Sequence, residues 1–151
     1  LMSRLCNAER NKNNMFTIKD EMTGQEIFDF VSYFMLDQNR KSIDDNGDLR
    51  YHYDGTKCAV GCLIKYDEYR ETFEGNTVLN IIEKLPRRIR DNVNIMVDLQ
   101  RIHDDEFVPD WKLRLGLLAF ELDLNDAVLD LFDWDDQSQK YIKADNTNES
   151  N

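Results

Sequence analysis

One stretch, residues 49–64, restricts the fold of this chain more than any other. Leu49, Tyr51 and Tyr53 alternate with Arg50 and His52, the period of a strand with one buried face. Asp54-Gly55 follows. A two-residue hairpin turn needs φ > 0 at both central positions, and Asp-Gly is one of the few pairs that adopts this readily. Residues 56–64 are then nearly continuous apolar sequence, which reads as a second strand buried on both faces. Gly61 offers no side chain to pack there. A bulge, or close approach by a neighbouring helix at residues 23–38, is the expected reason. The stretch therefore predicts a β-hairpin over 49–64.

The remaining periodic segments are helical. Thr23 and Glu26 have the spacing of a capping box, and Ile27, Phe30, Val31, Phe34 and Met35 follow as one apolar stripe. This helix is expected to end near Gln38 and to pack over the hairpin. Residues 38–48 form a polar connection with a turn at Asn46-Gly47, and residues 65–76 are turn-rich, anchored by Tyr66, Tyr69 and Phe73. Asn76 or Thr77 caps a short helix through Leu85, with Val78, Ile81, Ile82 and Leu85 inside, and Pro86 breaks it. Residues 87–103 read as one helix with Ile89, Val93, Met96, Leu99 and Ile102 on its buried side. Arg87, Arg88 and Arg90 open that helix, where its dipole disfavours cations; solvated charge is the expected reading, and a carboxylate partner the other. A further helix starts at Pro109 or Asp110 and carries Trp111, Leu115, Leu118 and Leu122. Asn125 caps a last short one, with Leu124 and Leu129 as a hydrophobic staple.

These elements predict an α+β fold: one mostly helical domain over 23–134, with the hairpin covered by helices. Residues 1–22 are polar and weakly patterned and read as a flexible segment, with at most a short extended piece at 15–18. Residues 135–151 lack periodicity and read as a disordered polar tail.

Charge narrows the function classes. The chain carries a formal net charge of −11, which argues against general nucleic-acid binding, because phosphate affinity comes from clustered Lys and Arg. Residues 104–136 hold eleven Asp or Glu against Lys112 and Arg114, a local charge of −9. Such a face is first a solubilising surface; its second use is docking a basic partner. Asp104, Asp105, Glu106, Asp110, Asp126, Asp130 and Asp133 are the candidate binding residues of that surface. No apolar run approaches the ~20 residues needed to cross a bilayer, so no membrane span is expected. The first residues lack the apolar core of a signal peptide. The 3 cysteines (Cys6, Cys58, Cys62) show no disulfide-framework spacing, which points to a reduced, cytoplasmic setting. Phosphate- and dinucleotide-binding glycine motifs are absent, and no cofactor is expected.

Two constellations bear on chemistry. Cys58 and Cys62 with His52 and His103 have the donor types of a Cys2His2 zinc site. On a regular strand, however, residues 58 and 62 lie ~13 Å apart, too far to share an ion. The same residues offer a Cys–His nucleophile pair, with Asp104 or Asp105 to orient the imidazole. That chemistry needs an accessible thiolate, and an apolar strand opposes one. Small buried hydrophobes are the simpler reading of the cysteines, and a helix C-terminal cation that of His103.

The run from Asp54 to Ile64 (DGTKCAVGCLI), then Asp67-Glu68-Tyr69 and Glu74-Gly75, resembles a group of small bacteriophage and bacterial proteins that carry a G-x-K-C-A-x-G-C-L-I motif. Asp98-Leu99-Gln100, Ile102-His103-Asp104 and Trp111 extend the likeness, which covers most of residues 23–122. The group has no assigned activity, so no residue gains a catalytic role from it. The resemblance implies a phage accessory protein acting in the bacterial host cytoplasm. Together with the acidity, it leads to the expectation of a non-enzymatic module that binds a host or phage protein, nucleic-acid mimicry being a special case. A small Cys/His-dependent hydrolase or zinc protein is the competing expectation.

Overall fold

Thr23 and Glu26 cap each other's backbone. In the computed structural model, which describes residues 17–144, the Glu26 N–H donates to Thr23 Oγ1 and the Thr23 N–H to Glu26 Oε1, both at 3.1 Å. Helix α1 (Gly24–Gln38) ends where Asn39 turns left-handed at φ 62°. Its buried residues are Ile27, Phe28, Val31, Ser32, Met35 and Leu36. Phe30 and Phe34, expected in the stripe, are only partly buried. The buried face is rotated because α1 touches several elements at once: helices α4 (Val93–Asp105) and α5 (Trp111–Glu121), the 3-10 turn Ala127–Leu131, and strand β4 (Lys140–Lys143).

The hairpin exists but is short. Strands β1 (His52–Tyr53) and β2 (Thr56–Lys57) pair antiparallel, His52 opposite Lys57 and Tyr53 opposite Thr56. Asp54 and Gly55 take φ of 47° and 79°, the positive pair that the turn demands. The expected second strand does not continue to Ile64. After Lys57 the chain coils instead: the Cys62 N–H donates to the Cys58 carbonyl at 3.0 Å, and Gly61–Leu63 is a 3-10 turn. An apolar run buried on all sides has no polar alternation to distinguish strand from coil, which is why the pattern misled. Gly61 does mark a close approach, but by the Tyr51 backbone and not by α1.

The segment read as one helix over 87–103 is two, α3 (Arg87–Arg90) and α4. They are separated at Asp91-Asn92, where the Asn92 side chain donates to the Met22 and Arg88 carbonyls at 2.8 and 2.9 Å. Thr77 caps α2 (Val78–Ile81) through the Asn80 N–H, as its position predicts. Arg88 is not solvated: it is 1% exposed. Its guanidinium donates to both oxygens of Glu68 at 2.9 and 3.0 Å and to the Lys19 and Leu63 carbonyls at 2.7 and 2.8 Å. A buried guanidinium is tolerated only with its donors engaged in this way.

Two expectations about the termini are corrected. Residues 17–22 are docked: Met22 is buried and Ile18 packs on the core. Residues 1–16, including half of the expected extended piece, lie outside the described residues. The polar tail begins as a second hairpin, β3 (Phe132–Asp135) with β4, Trp134 opposite Tyr141. Tyr141 fixes it to the domain. Its carbonyl accepts from the Asn39 side chain at 2.8 Å, and its hydroxyl lies 2.8 Å from the Val108 and Pro109 carbonyls. Residues 145–151 lie outside the described residues. The fold is α+β, with two antiparallel strand pairs around a helical core. Among the described residues no helix is long and apolar enough to cross a membrane.

Candidate functional site

Because β1 begins only at His52, the backbone beside it needs another partner. Glu74 supplies it: Oε1 accepts the Tyr51 N–H at 2.8 Å, and Oε2 accepts the His52 N–H at 3.2 Å. The Tyr69 hydroxyl donates to Oε2 at 2.6 Å and Arg50 Nε stands 3.4 Å away. Burial, then this bond to a carboxylate, pushes the Tyr69 phenol up to about 12. The Glu74 hub draws residues 74–79 against residues 49–51.

Asp44 shapes the next wall. Its Oδ1 accepts the Asn46 and Asp48 N–H groups at 3.0 and 2.9 Å, closing the Asn46-Gly47 turn. These bonds, that of Asp48 first, hold the Asp44 carboxyl below its ordinary value. The third wall is the outward side of α4, where Gln100 accepts the Val60 N–H at 2.9 Å and donates to Asp104 Oδ1 at 2.8 Å.

Between these walls lies an open cleft of ≈ 920 Å³ with Tyr51 and Cys58 at its buried side. Five carboxylates line it (Asp44, Asp48, Glu74, Asp104, Asp105) against two arginines, Arg50 and Arg101. Arg50 is held by three carboxylates, Asp44, Glu71 and Glu74, at 3.2–3.5 Å, so its charge is already compensated. The cleft therefore stays acidic. Leu49 and Leu79 add exposed apolar surface to it. An acidic cleft with apolar walls suits a cationic group attached to an apolar one.

The structure distributes the sequence-derived candidates unevenly. Asp104, Asp105 and Cys58 line the cleft. Cys62 lies one helical turn from Cys58, not ~13 Å away as on an extended strand. The histidines do not join them. The His52 ring nitrogen Nε2 bonds the Gly61 carbonyl at 2.8 Å while the ring stacks on Tyr69 at 4.4 Å. Burial holds its imidazole below the ordinary value. His103 is fully buried: Nε2 accepts the Ser42 N–H at 3.2 Å, so Nδ1 carries the proton and donates to Asp104 at 2.7 Å. It orients Asp104 and the 42 loop from inside the core, although it stands in the last turn of α4 where a helix C-terminal cation was expected.

Both thiols are engaged and desolvated. Cys58 Sγ accepts the Gly61 N–H at 3.3 Å and the Cys62 thiol donates to the Ala59 carbonyl at 3.1 Å. Burial pushes the Cys58 thiol up to about 12 and the Cys62 thiol well above its ordinary value. Such groups are poor nucleophiles at neutral pH. Among the described residues no group of three or more His, Cys, Asp and Glu is placed to hold a metal ion.

The other acidic candidates stand apart from the cleft. Glu106 pairs with Arg114 at 3.3 Å, and Asp133 is 3.8 Å from Lys112. Asp110, Asp126 and Asp130 are exposed. Asp44, Asp48, Arg50, Glu74 and Gln100 were missed as site residues. Their only sequence signals were a turn pair and a Glu-Gly dipeptide, and neither reports which distant segments meet. No protein-family model, curated protein or solved structure matches the chain.

Proposed function

We propose that this chain is a non-enzymatic binding module that takes a basic segment of another protein in its acidic cleft. One observation carries the reading: Asp48, Asp104 and Asp105 converge with two exposed leucines on one cleft whose half-buried Arg50 is already paired with Asp44 and Glu74. A lysine or arginine side chain would meet the rim carboxylates Asp48 and Asp105, while an apolar neighbour covers Leu49 and Leu79. The sequence likeness to small phage proteins supports a host or phage protein in the bacterial cytoplasm as the partner. The buried, raised thiols weigh against the hydrolase and zinc alternatives.

The test is retention of proteins from bacterial lysate on immobilised chain, compared with an Asp48→Lys/Asp105→Lys variant. Both positions are exposed, so the fold is expected to survive. The expected result is a partner held by the parent at low salt, released as salt rises, and not held by the variant. Retention of no partner, or of the same set by the variant, would overturn the reading.

A further inference from the structure

Helix α5 is apolar on two faces. Trp111, Leu115, Leu118 and Ala119 are buried. Leu113, Leu117 and Phe120, on the other side, stand 64%, 53% and 89% exposed. Residues spaced four and three apart lie in line along a helix, so these three form one continuous ridge. A ridge of that kind on an acidic chain is not needed for solubility and marks a contact surface. Two features describe what fits it. Arg114 and Glu121, seven residues apart, lie on the same flank of the ridge. Gly116 lies on the other flank of the unbroken helix, where a Cβ would meet Leu129 Cδ1 of the same chain at 3.6 Å, so that flank is lined from within.

We propose that the ridge pairs with the ridge of a second copy, the two α5 helices packing antiparallel about a twofold axis. With Leu113 and Phe120 as d positions and Leu117 as a, antiparallel packing sets Leu117 of each copy against Phe120 of the other. In the same register the flanking e positions face each other, which places Arg114 of each copy opposite Glu121 of the other. The surface is therefore complementary to itself in charge, as an isologous contact requires. No residue of α5 lines the cleft, so the pairing uses none of the cleft's side chains.

Sedimentation of the full chain over a range of concentrations at low salt tests this. The mass is expected to rise from 17.9 kDa toward twice that value. Leu117→Asp is expected to leave the circular-dichroism spectrum unchanged and the chain monomeric. Arg114→Glu and Glu121→Arg, each alone, set like charges opposite each other twice and are expected to weaken the dimer by roughly tenfold. Combined, they restore it. Arg114 also pairs with Glu106 of its own chain at 3.3 Å, a contact the double reversal does not rebuild. Rescue thus reports the contact between copies. A monomer at every concentration overturns the proposal, as does a dimer indifferent to Leu117→Asp or to the single reversals. Failure of the double reversal to restore the dimer overturns it equally.

Discussion

Gly61 and Tyr51 meet backbone to backbone: a Cβ built on Gly61 would lie 2.0 Å from the Tyr51 carbonyl oxygen and 2.8 Å from its carbonyl carbon. The same oxygen accepts the Cys58 N–H at 3.2 Å, so it cannot swing aside without losing that bond. Gly61→Ala, the smallest possible addition, is expected to destabilise the fold by about 3 kcal/mol or more. Gly24→Ala, where a Cβ meets nothing within 4 Å, serves as the control. Urea unfolding of both variants makes the comparison. A Gly61→Ala protein as stable as the parent would remove this contact from the account.

Arg88 ties four segments together through Glu68, Lys19, Leu63 and its own helix. Arg88→Met keeps the length of the stem but strands the Glu68 carboxylate and two carbonyls. A loss of roughly 3 kcal/mol is expected, as for a broken buried pair. Burial would raise the Glu68 carboxyl, but the Arg88 bonds reverse this and hold it below its ordinary value of 4.5. Its folded pKa is thus depressed, and its contribution is present above about pH 4.5 and lost as pH falls through the folded value. Stability of the parent and of Arg88→Met is expected to converge in acid. Parallel curves down to the lowest measurable pH would contradict the pairing.

Asp29 has the opposite sign. Burial pushes its carboxyl from 3.8 up to about 6, against a bond from Gln25 at 3.0 Å. The folded state then holds a proton that the unfolded chain has released, so this group's contribution falls as pH rises between those two values. Asp29→Asn removes that cost while keeping an acceptor for Gln25. After discounting for partial solvent access, it is expected to gain about 1 kcal/mol near pH 7 and nothing near pH 4. Denaturation at the two pH values decides it. Equal effects at both would show that the carboxyl is not perturbed.

Cys58 and Cys62 are expected to resist alkylation. In a Cys6→Ser background, thiol titration near neutral pH is expected to find both unreactive in the folded chain and both reactive in denaturant. One thiol that reacts fast in the folded protein would return the Cys–His reading. Cys58→Ala and Cys62→Ala are expected to cost only ~1 kcal/mol each, the loss of a small buried group.

Local chemistry carried much of the fold into the sequence. Thr23 with Glu26, Asp54 with Gly55, and Thr77 before Val78 each act through backbone atoms within a few residues, so their spacing alone placed a helix start, a turn and a cap. Where burial was complete, the pattern lost its meaning. The apolar run after Lys57 looked like a strand because every face was covered, and Arg88 looked solvated because its partner lies twenty residues away in a loop. The second strand of the hairpin, Lys140–Lys143, looked like part of a tail because its anchor, Asn39, lies about a hundred residues upstream. The cleft is the extreme case. Asp44, Glu74 and Asp104 share no local signal, and the tertiary fold alone brings their three segments together. Local bonds are written in neighbouring residues, whereas a site built from distant carboxylates exists only once the core has fixed the walls that hold them.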